Sequence, residues 1–158
     1  MGLVLVVAVP YVAFAAPVAS DLVVGTRNLL GKGIVVETVN GENVTAPANF
    51  NLTLERAGTK LTVPGTNLAV PKFNVVGGKL EVNGTIYTIT SGDGGVLRAR
   101  HVVLLQAQGT GPDGQSVTLK LVGRYFWMGG HLFVLRMAGS VQTAGGKEQL
   151  LMRAEIRV

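Results

Sequence analysis

Apolar and polar residues alternate along four long runs in the C-terminal part of this chain. The runs cover residues 96–108, 116–127, 131–142 and 148–158. Because side chains alternate sides along a β-strand, a period of two indicates a strand with one buried face and one more polar face. A helix would need an apolar residue at every third or fourth position, and these runs do not supply it. The pattern therefore predicts a meander of four long strands.

Glycine-rich segments separate the four runs and are typical of turns. The last segment, residues 144–147, allows a two-residue loop at its two central glycines. That loop would place Arg136 opposite Glu155 and Leu135 opposite Ile156. Opposite charges would then meet on the outer face and apolar residues on the inner face. We therefore expect a hairpin in this register.

Shorter strand patterns precede the meander. Asn83-Gly84 lies between two of them and suits a type I′ hairpin turn, and Asn40-Gly41 ends another. We also expect a hairpin at Ala57-Gly58-Thr59 and a turn at residues 91–95. In total this gives about nine or ten strands at the spacing of an all-β sandwich or barrel. The predicted class is an all-β, antiparallel β-sandwich, jelly-roll or immunoglobulin-like, with a long C-terminal meander.

The N-terminal segment is strongly apolar. Residues 3–19 carry no charge, and small residues at suitable spacing favour cleavage by signal peptidase, although no Lys or Arg precedes the stretch. We expect residues 1–20 to be a signal peptide or apolar leader, followed by one β-sandwich domain over 21–158. Two alternatives stay open: an uncleaved membrane anchor, which two prolines would interrupt, or a retained strand that pairs with a neighbour's sheet edge. The leading interpretation places the protein outside the cell or on its surface.

Composition limits the chemistry that the chain can carry. Hydrophobic residues make up 47% of the chain, which is enough for a core, and charged residues only 15%. An average soluble domain has roughly 25% charged residues, so this surface is poorly protected against self-association. The chain has no cysteine, which excludes disulfides and thiolate metal sites. The net charge is +5.

Much of this positive charge falls on one face of the predicted meander. A solvated outer face is one interpretation, and a docking surface for an anionic glycan, acidic lipid headgroups or an acidic partner is the other. Nucleic acid is not expected as a partner, because no binding motif or aromatic stacking array is present. The basic face comprises Arg98, Arg100, Lys120, Arg124, Arg136, Arg153 and Arg157.

No catalytic or metal-binding constellation is recognisable in the sequence. The two histidines, His101 and His131, have no companions at ligand spacing, and Asp93 and Asp113 occur singly in glycine-rich segments. No serine lies in a Gly-x-Ser-x-Gly context. The aromatic cluster at residues 125–127 suits core packing, with a sugar-stacking platform as the alternative. We expect a protein that is not an enzyme and that needs no cofactor.

Three asparagines lie in Asn-x-Ser/Thr triplets, the acceptor pattern for N-glycosylation. These are Asn43, Asn51 and Asn83. Asn83 also falls at a predicted hairpin turn, where a glycan has room. The triplets agree with the expectation of a secreted protein.

An apolar leader, glycine-rich hairpins, no cysteine and near-continuous strands over residues 33–158 are found together here. In these features the chain resembles the small secreted β-sandwich subunits of archaeal and bacterial extracellular filaments or cell-surface layers. The resemblance implies a structural subunit that self-assembles by strand pairing, with donor-strand complementation by residues 21–45 or by the leader. The alternative is a monomeric, secreted binding module for an anionic glycan or an acidic surface partner.

Overall fold

Eight antiparallel strands follow one another in chain order and close into a barrel. The computed structural model describes residues 25–63, 65 and 69–158. Each strand pairs with the next one, and the first also pairs with the last. A 3₁₀ turn at Arg98–Arg100 links the fourth strand to the fifth. The strands are β1 (Thr26–Val39), β2 (Glu42–Thr62), β3 (Ala69–Val82), β4 (Thr85–Leu97), β5 (Val102–Thr110), β6 (Ser116–Trp127), β7 (Leu132–Thr143) and β8 (Gly146–Arg157).

The all-β, antiparallel class expected from the sequence is confirmed, whereas the two-sheet sandwich is not. All eight strands belong to one sheet, because β1 pairs with β8 from Leu29–Ile156 to Val36–Gln149. Alternation along single strands is the same in a sandwich and in a barrel. A sandwich and a barrel differ in which distant strands pair. Here the pairing that closes the barrel joins the first strand to the last.

Two glycine-rich segments that suggested turns lie inside strands. Ala57-Gly58-Thr59 forms a bulge within β2, where the pairing passes from Arg56–Phe73 to Lys60–Pro71. Residues 91–95 belong to β4 and pair with β5. The predicted hairpin and turn at these places are therefore wrong. Glycine inside the strands of a small barrel marks bulges and places where the sheet must bend sharply, and it mimics a turn signal.

The barrel interior is apolar and closely filled. Among the residues that the structure describes, the buried side chains are hydrophobic, and Tyr125, whose hydroxyl is also buried, is the one of them with a polar group that can ionise. The ring of Phe50 lies over Gly31, its cross-strand partner, and the ring of Phe73 lies over Gly94 in the same way. An interior void beside Leu29 measures about 10 Å³. Because eight strands leave an interior just wide enough for side chains, we look for the functional site on the outside.

The connections between strands agree with the sequence in part. Asn40-Gly41 and Asn83-Gly84 have positive φ at both residues, as type I′ turns require. The predicted turn at Asn83-Gly84 and the predicted end of a strand at Asn40-Gly41 are both confirmed. The predicted single strand over 96–108 is interrupted at residues 98–101. There the chain turns at Arg98–Arg100, and His101 has a left-handed conformation with φ of 53°. β6 has the bounds expected from the sequence.

The β7–β8 hairpin has a different register from the expected one. Thr143 pairs with Gly146, so the loop is Ala144-Gly145. Arg136 consequently lies opposite Arg153, and the predicted pairing of Arg136 with Glu155 is wrong. A shift of two residues keeps every side chain on its original face, so the buried pattern cannot distinguish the two registers. This shift decides which charges meet on the outside.

Candidate functional site

Four basic side chains stand in a line across neighbouring strands on the outer surface. Arg124 lies opposite Arg136, Arg136 opposite Arg153, and Arg153 opposite Lys32, on β6, β7, β8 and β1. All four are exposed. Strands in a sheet lie about 4.8 Å apart, so this cation row spans about 14 Å. Among the described residues one carboxylate reaches it, because Glu155 Oε1 lies 3.5 Å from Arg153 Nη2.

The cation row is unfavourable for the isolated barrel. Like charges directly opposite each other in a sheet are destabilising, by roughly 0.2–1 kcal/mol per pair. Three such pairs are adjacent here, and Glu155 offsets only part of their repulsion. Nothing in the fold requires these charges, because outward positions accept most polar residues. An external anion would remove the repulsion.

A second line of outward side chains runs beside the cation row and is apolar. Val122 lies opposite Ala138, Ala138 opposite Leu151, and Leu151 opposite Ile34, on the same four strands. Val122, Leu151 and Ile34 are 48%, 50% and 39% exposed. Each member lies two residues from a member of the cation row, because the strand period of two places both sets outward. We call this line the apolar row.

Large apolar side chains continue to the end of β6. Phe126, Trp127 and Met128 are all exposed, and Trp127 Nε1 donates a hydrogen bond to the Gly130 carbonyl oxygen at 3.1 Å. Only Tyr125 of the aromatic cluster points into the barrel and is buried. Core packing, the first interpretation of this cluster, therefore holds for Tyr125 and not for its two neighbours. Phe126 and Trp127 remain available for contact with a ligand.

The cation row, three members of the apolar row (Val122, Ala138 and Leu151) and this apolar end line one groove in the outer wall, with a volume of about 1190 Å³. Ile34 lies outside this lining. Gly33 and Gly123 contribute to the lining without side chains. We call this feature the outer groove. Ligand sites of comparable size are mostly apolar with a few charged or polar groups, which is the composition seen here. Its lining includes Lys32, Val122, Arg124, Phe126, Trp127, Met128, Arg136, Ala138, Leu151 and Arg153.

The structure assembles only part of the basic face that the sequence indicates. Arg124, Arg136 and Arg153 come together in the cation row. Lys120 lies beyond the apolar row, opposite Gln106 and Ser140, and Arg157 lies opposite Leu132 near the end of the barrel. Arg98 and Arg100 are in the 3₁₀ turn and are not part of this wall, because the expected strand is interrupted there.

Sequence reasoning missed Lys32 and the whole apolar row. Lys32 joins the row only because β1 pairs with β8, and no local pattern shows that pairing. The apolar row is partly visible in the sequence as breaks in the alternation of apolar and polar residues. Val122, Ala138 and Leu151 occupy positions where the alternation calls for a polar residue. Placing these exceptions side by side requires the register between strands.

A smaller pocket of about 180 Å³ lies beside the β2 bulge. Arg56, Lys60, Lys72 and Arg98 contribute to its lining. Lys72 is already paired, with its Nζ 3.0 Å from Asp93 Oδ2. Arg98, which the 3₁₀ turn removes from the expected strand, therefore lies beside the β2 bulge.

Neither histidine belongs to an arrangement suited to catalysis in the described part of the chain. Both are exposed, and the ring of His101 lies 5.2 Å from that of Tyr125 between centroids. Burial raises the pKa of the Tyr125 phenol, and the charge of Arg98 partly opposes this shift. The described residues include no group of three or more His, Asp or Glu side chains that could hold a metal ion.

The three glycosylation candidates lie on the surface. Asn43 follows the β1–β2 turn, where its Oδ1 accepts a hydrogen bond from Thr38 Oγ1 at 3.0 Å. Asn51 faces outward on β2, and Asn83 forms the β3–β4 turn. All three are exposed and outside the outer groove. Their modification stays a prediction.

A scan against protein-family models finds no match for this chain, and searches of curated proteins and of solved structures find no significant match either. Within the described residues, no helix has the length and apolar character needed to cross a membrane. The function must therefore be inferred from the surface of the barrel.

Proposed function

We propose that this protein is a non-enzymatic binding module that docks an anionic surface partner through its outer groove. The observation that carries the proposal is the cation row, in which four like charges oppose one another beside one carboxylate. A partner that supplies negative charge stabilises this arrangement, because each cation then has an opposite charge nearby. Anionic glycans and acidic proteins both provide such charge.

The same row argues against a second copy of this chain as the partner. Two copies that met through this wall would bring two sets of cations together, in a chain that already carries a net charge of +5. Charge complementarity favours a partner of opposite sign. Exposed candidate glycosylation sites outside the outer groove agree with work outside the cell, and secretion remains part of the proposal.

The filament subunit suggested by the sequence resemblance has less support. In the described residues β1 is paired along both edges, with β2 on one side and β8 on the other. A donated strand from residues 21–45 would have to leave these pairings and open the ring. Residues 1–20, the candidate leader, lie outside the described residues. Strand exchange stays a prediction that electron microscopy of cell-surface material would test.

Retention on a dextran sulfate resin tests the binding proposal directly. Arg136→Glu reverses the charge at the middle of the cation row, and we expect its affinity at fixed low salt to fall about tenfold, or about 1.4 kcal/mol. Lys79→Glu is the matched control, because it changes net charge equally on β3, outside the outer groove, where Lys79 lies opposite Asn51 and Thr88. Equal losses in the two variants would show that only net charge matters and would refute the proposal.

A further inference from the structure

The two rows of the outer groove together suggest the kind of anion that binds. We infer that the groove holds a single anionic amphiphile, with its acyl chain on the apolar row and its acidic headgroup on the cation row. This inference rests on the proposed function, since it names the chemistry of the partner at the same site. It explains the apolar row, which charge alone does not.

The spacing of the rows suits one ligand that contacts both. Val122 and Arg124 are two residues apart on β6, as are Leu151 and Arg153 on β8. Two residues along a strand correspond to about 6.6 Å, and the rows run in parallel across four strands for about 14 Å. An extended chain can therefore lie on one row while its headgroup reaches the other.

The distribution of exposed apolar side chains supports a ligand with an apolar part. Of eleven large apolar side chains exposed among the described residues, five line the outer groove. A concentration of this kind marks an interaction site, whereas scattered exposed apolar residues do not. The five are Val122, Phe126, Trp127, Met128 and Leu151.

Other occupants fit the groove less well. A purely polar glycan would leave the apolar row without a partner. A groove of about 1190 Å³ has room for one acyl chain. We therefore expect the groove to bind one amphiphile molecule at a time. Binding to an anionic membrane is the alternative that the vesicle experiment below tests.

Trp127 provides the measurement, because it is the single tryptophan of the chain and lines the groove. We expect octyl, decyl and dodecyl phosphate, each below its micelle concentration, to shift Trp127 emission to shorter wavelength. Each added methylene that is buried should tighten binding by up to about fourfold. Inorganic phosphate and dodecyltrimethylammonium should produce no saturable shift at the same concentrations.

Substitutions separate the two rows. Leu151→Asn should weaken dodecyl phosphate binding about tenfold and reduce its dependence on chain length. Ile86→Asn is the matched control, because Ile86 is 51% exposed on β4, outside the outer groove, and Leu151 is 50% exposed. Val122→Asn repeats the test on a second strand, and thermal unfolding confirms that each variant folds. Unchanged binding in both apolar-row variants would overturn the inference.

The outcomes also separate this inference from the proposed function. Retention on dextran sulfate with no chain-length effect would overturn the amphiphile and leave the anion-binding module standing. Binding to vesicles of anionic phospholipid without binding to monomeric alkyl phosphates would also overturn it. Failure on every anionic probe would remove both proposals.

Discussion

Outward-facing polar side chains are paired across strands on one side of the barrel, whereas like charges face each other on the other side. On the wall formed by β2, β3 and β4, polar side chains satisfy one another across strands: Asn49 Nδ2 donates to Glu81 Oε2 at 2.9 Å, and Lys72 pairs with Asp93. On the wall formed by β6, β7, β8 and β1, like charges face each other. We call these the paired wall and the open wall.

The line of the cation row on the open wall continues around the barrel into the paired wall. Lys32 ends the cation row on β1, and its neighbour on β2 is Asn49, which is hydrogen bonded to Glu81 on β3. At this boundary Lys32 and Asn49 are directly opposite each other, and the change from like charges to a hydrogen-bonded pair comes from the side chains. The paired wall is complete without a partner, whereas the open wall gains stability when an anion binds.

The largest expected effect concerns the core that supports both walls. A Cβ at position 94, beneath the paired wall, would overlap the Phe73 ring and the Leu104 carbonyl oxygen. Gly94→Ala should therefore lower the free energy of unfolding by about 1–3 kcal/mol, measured by urea denaturation. Gly58→Ala is the control and should be nearly neutral, because nothing lies within 4 Å of its added Cβ. Equal effects in the two variants would contradict this account of the core.

A substitution on the paired wall should cost somewhat less. Asn49→Leu removes the hydrogen bond to Glu81, and we expect a loss of about 1.5 kcal/mol in urea denaturation, because hydrogen bonds to charged groups contribute this much. Replacing Glu81 by Leu in the same chain should recover most of the loss. A neutral effect of the single substitution would mean that the paired wall does not depend on its pairs.

The corresponding change on the open wall should have the opposite sign. Arg136→Glu replaces two like-charge contacts with two opposite-charge contacts, so we expect unfolding to require about 1 kcal/mol more at low salt. Salt should reduce the gain, because exposed charges are screened. The same variant should bind dextran sulfate less well. Lys79→Glu should leave stability nearly unchanged, and a destabilised Arg136→Glu would show that the row supports the fold.

The smallest effect concerns the acidic end of the open wall, where Glu148 is partly buried. Burial raises the Glu148 pKa above its ordinary 4.5, and the charge of Glu37 raises it further. The protonated form therefore stabilises the barrel below about pH 4.5, and this contribution is lost as pH rises through the raised folded pKa. Glu148→Gln should flatten that decline in thermal unfolding measured across this window. Glu37→Gln should flatten it less, because the charge of Glu37 is the smaller cause.

Local features of the fold could be predicted from the sequence, and pairing between distant strands could not. Alternation placed the faces of β6, β7 and β8, and the two Asn-Gly turns followed from their conformational preference. The closure of β1 on β8 is a contact between opposite ends of the chain. Without it, Lys32 could not be assigned to the cation row, nor Ile34 to the apolar row.

The register of β7 against β8 shows a second limit of sequence reasoning. The adjacent Gly145 and Gly146 allow two loops whose registers differ by two residues. Both bury the same side chains, so the core does not choose between them. The expected register would have neutralised Arg136 with Glu155, whereas the observed one leaves it between two arginines. The cation row thus depends on which two residues form the β7–β8 loop.

The pairing of β1 with β8 has a consequence for how the chain reaches its native state. Sequence neighbours can zip together early, but the final seam brings together segments separated by nearly the whole polypeptide, and such distant contacts form slowly. Until the seam forms, β1 and β8 each present a row of bare amides and carbonyls that can capture another molecule's strand. We therefore expect protection against misassembly to be complete only when β1 has paired with β8.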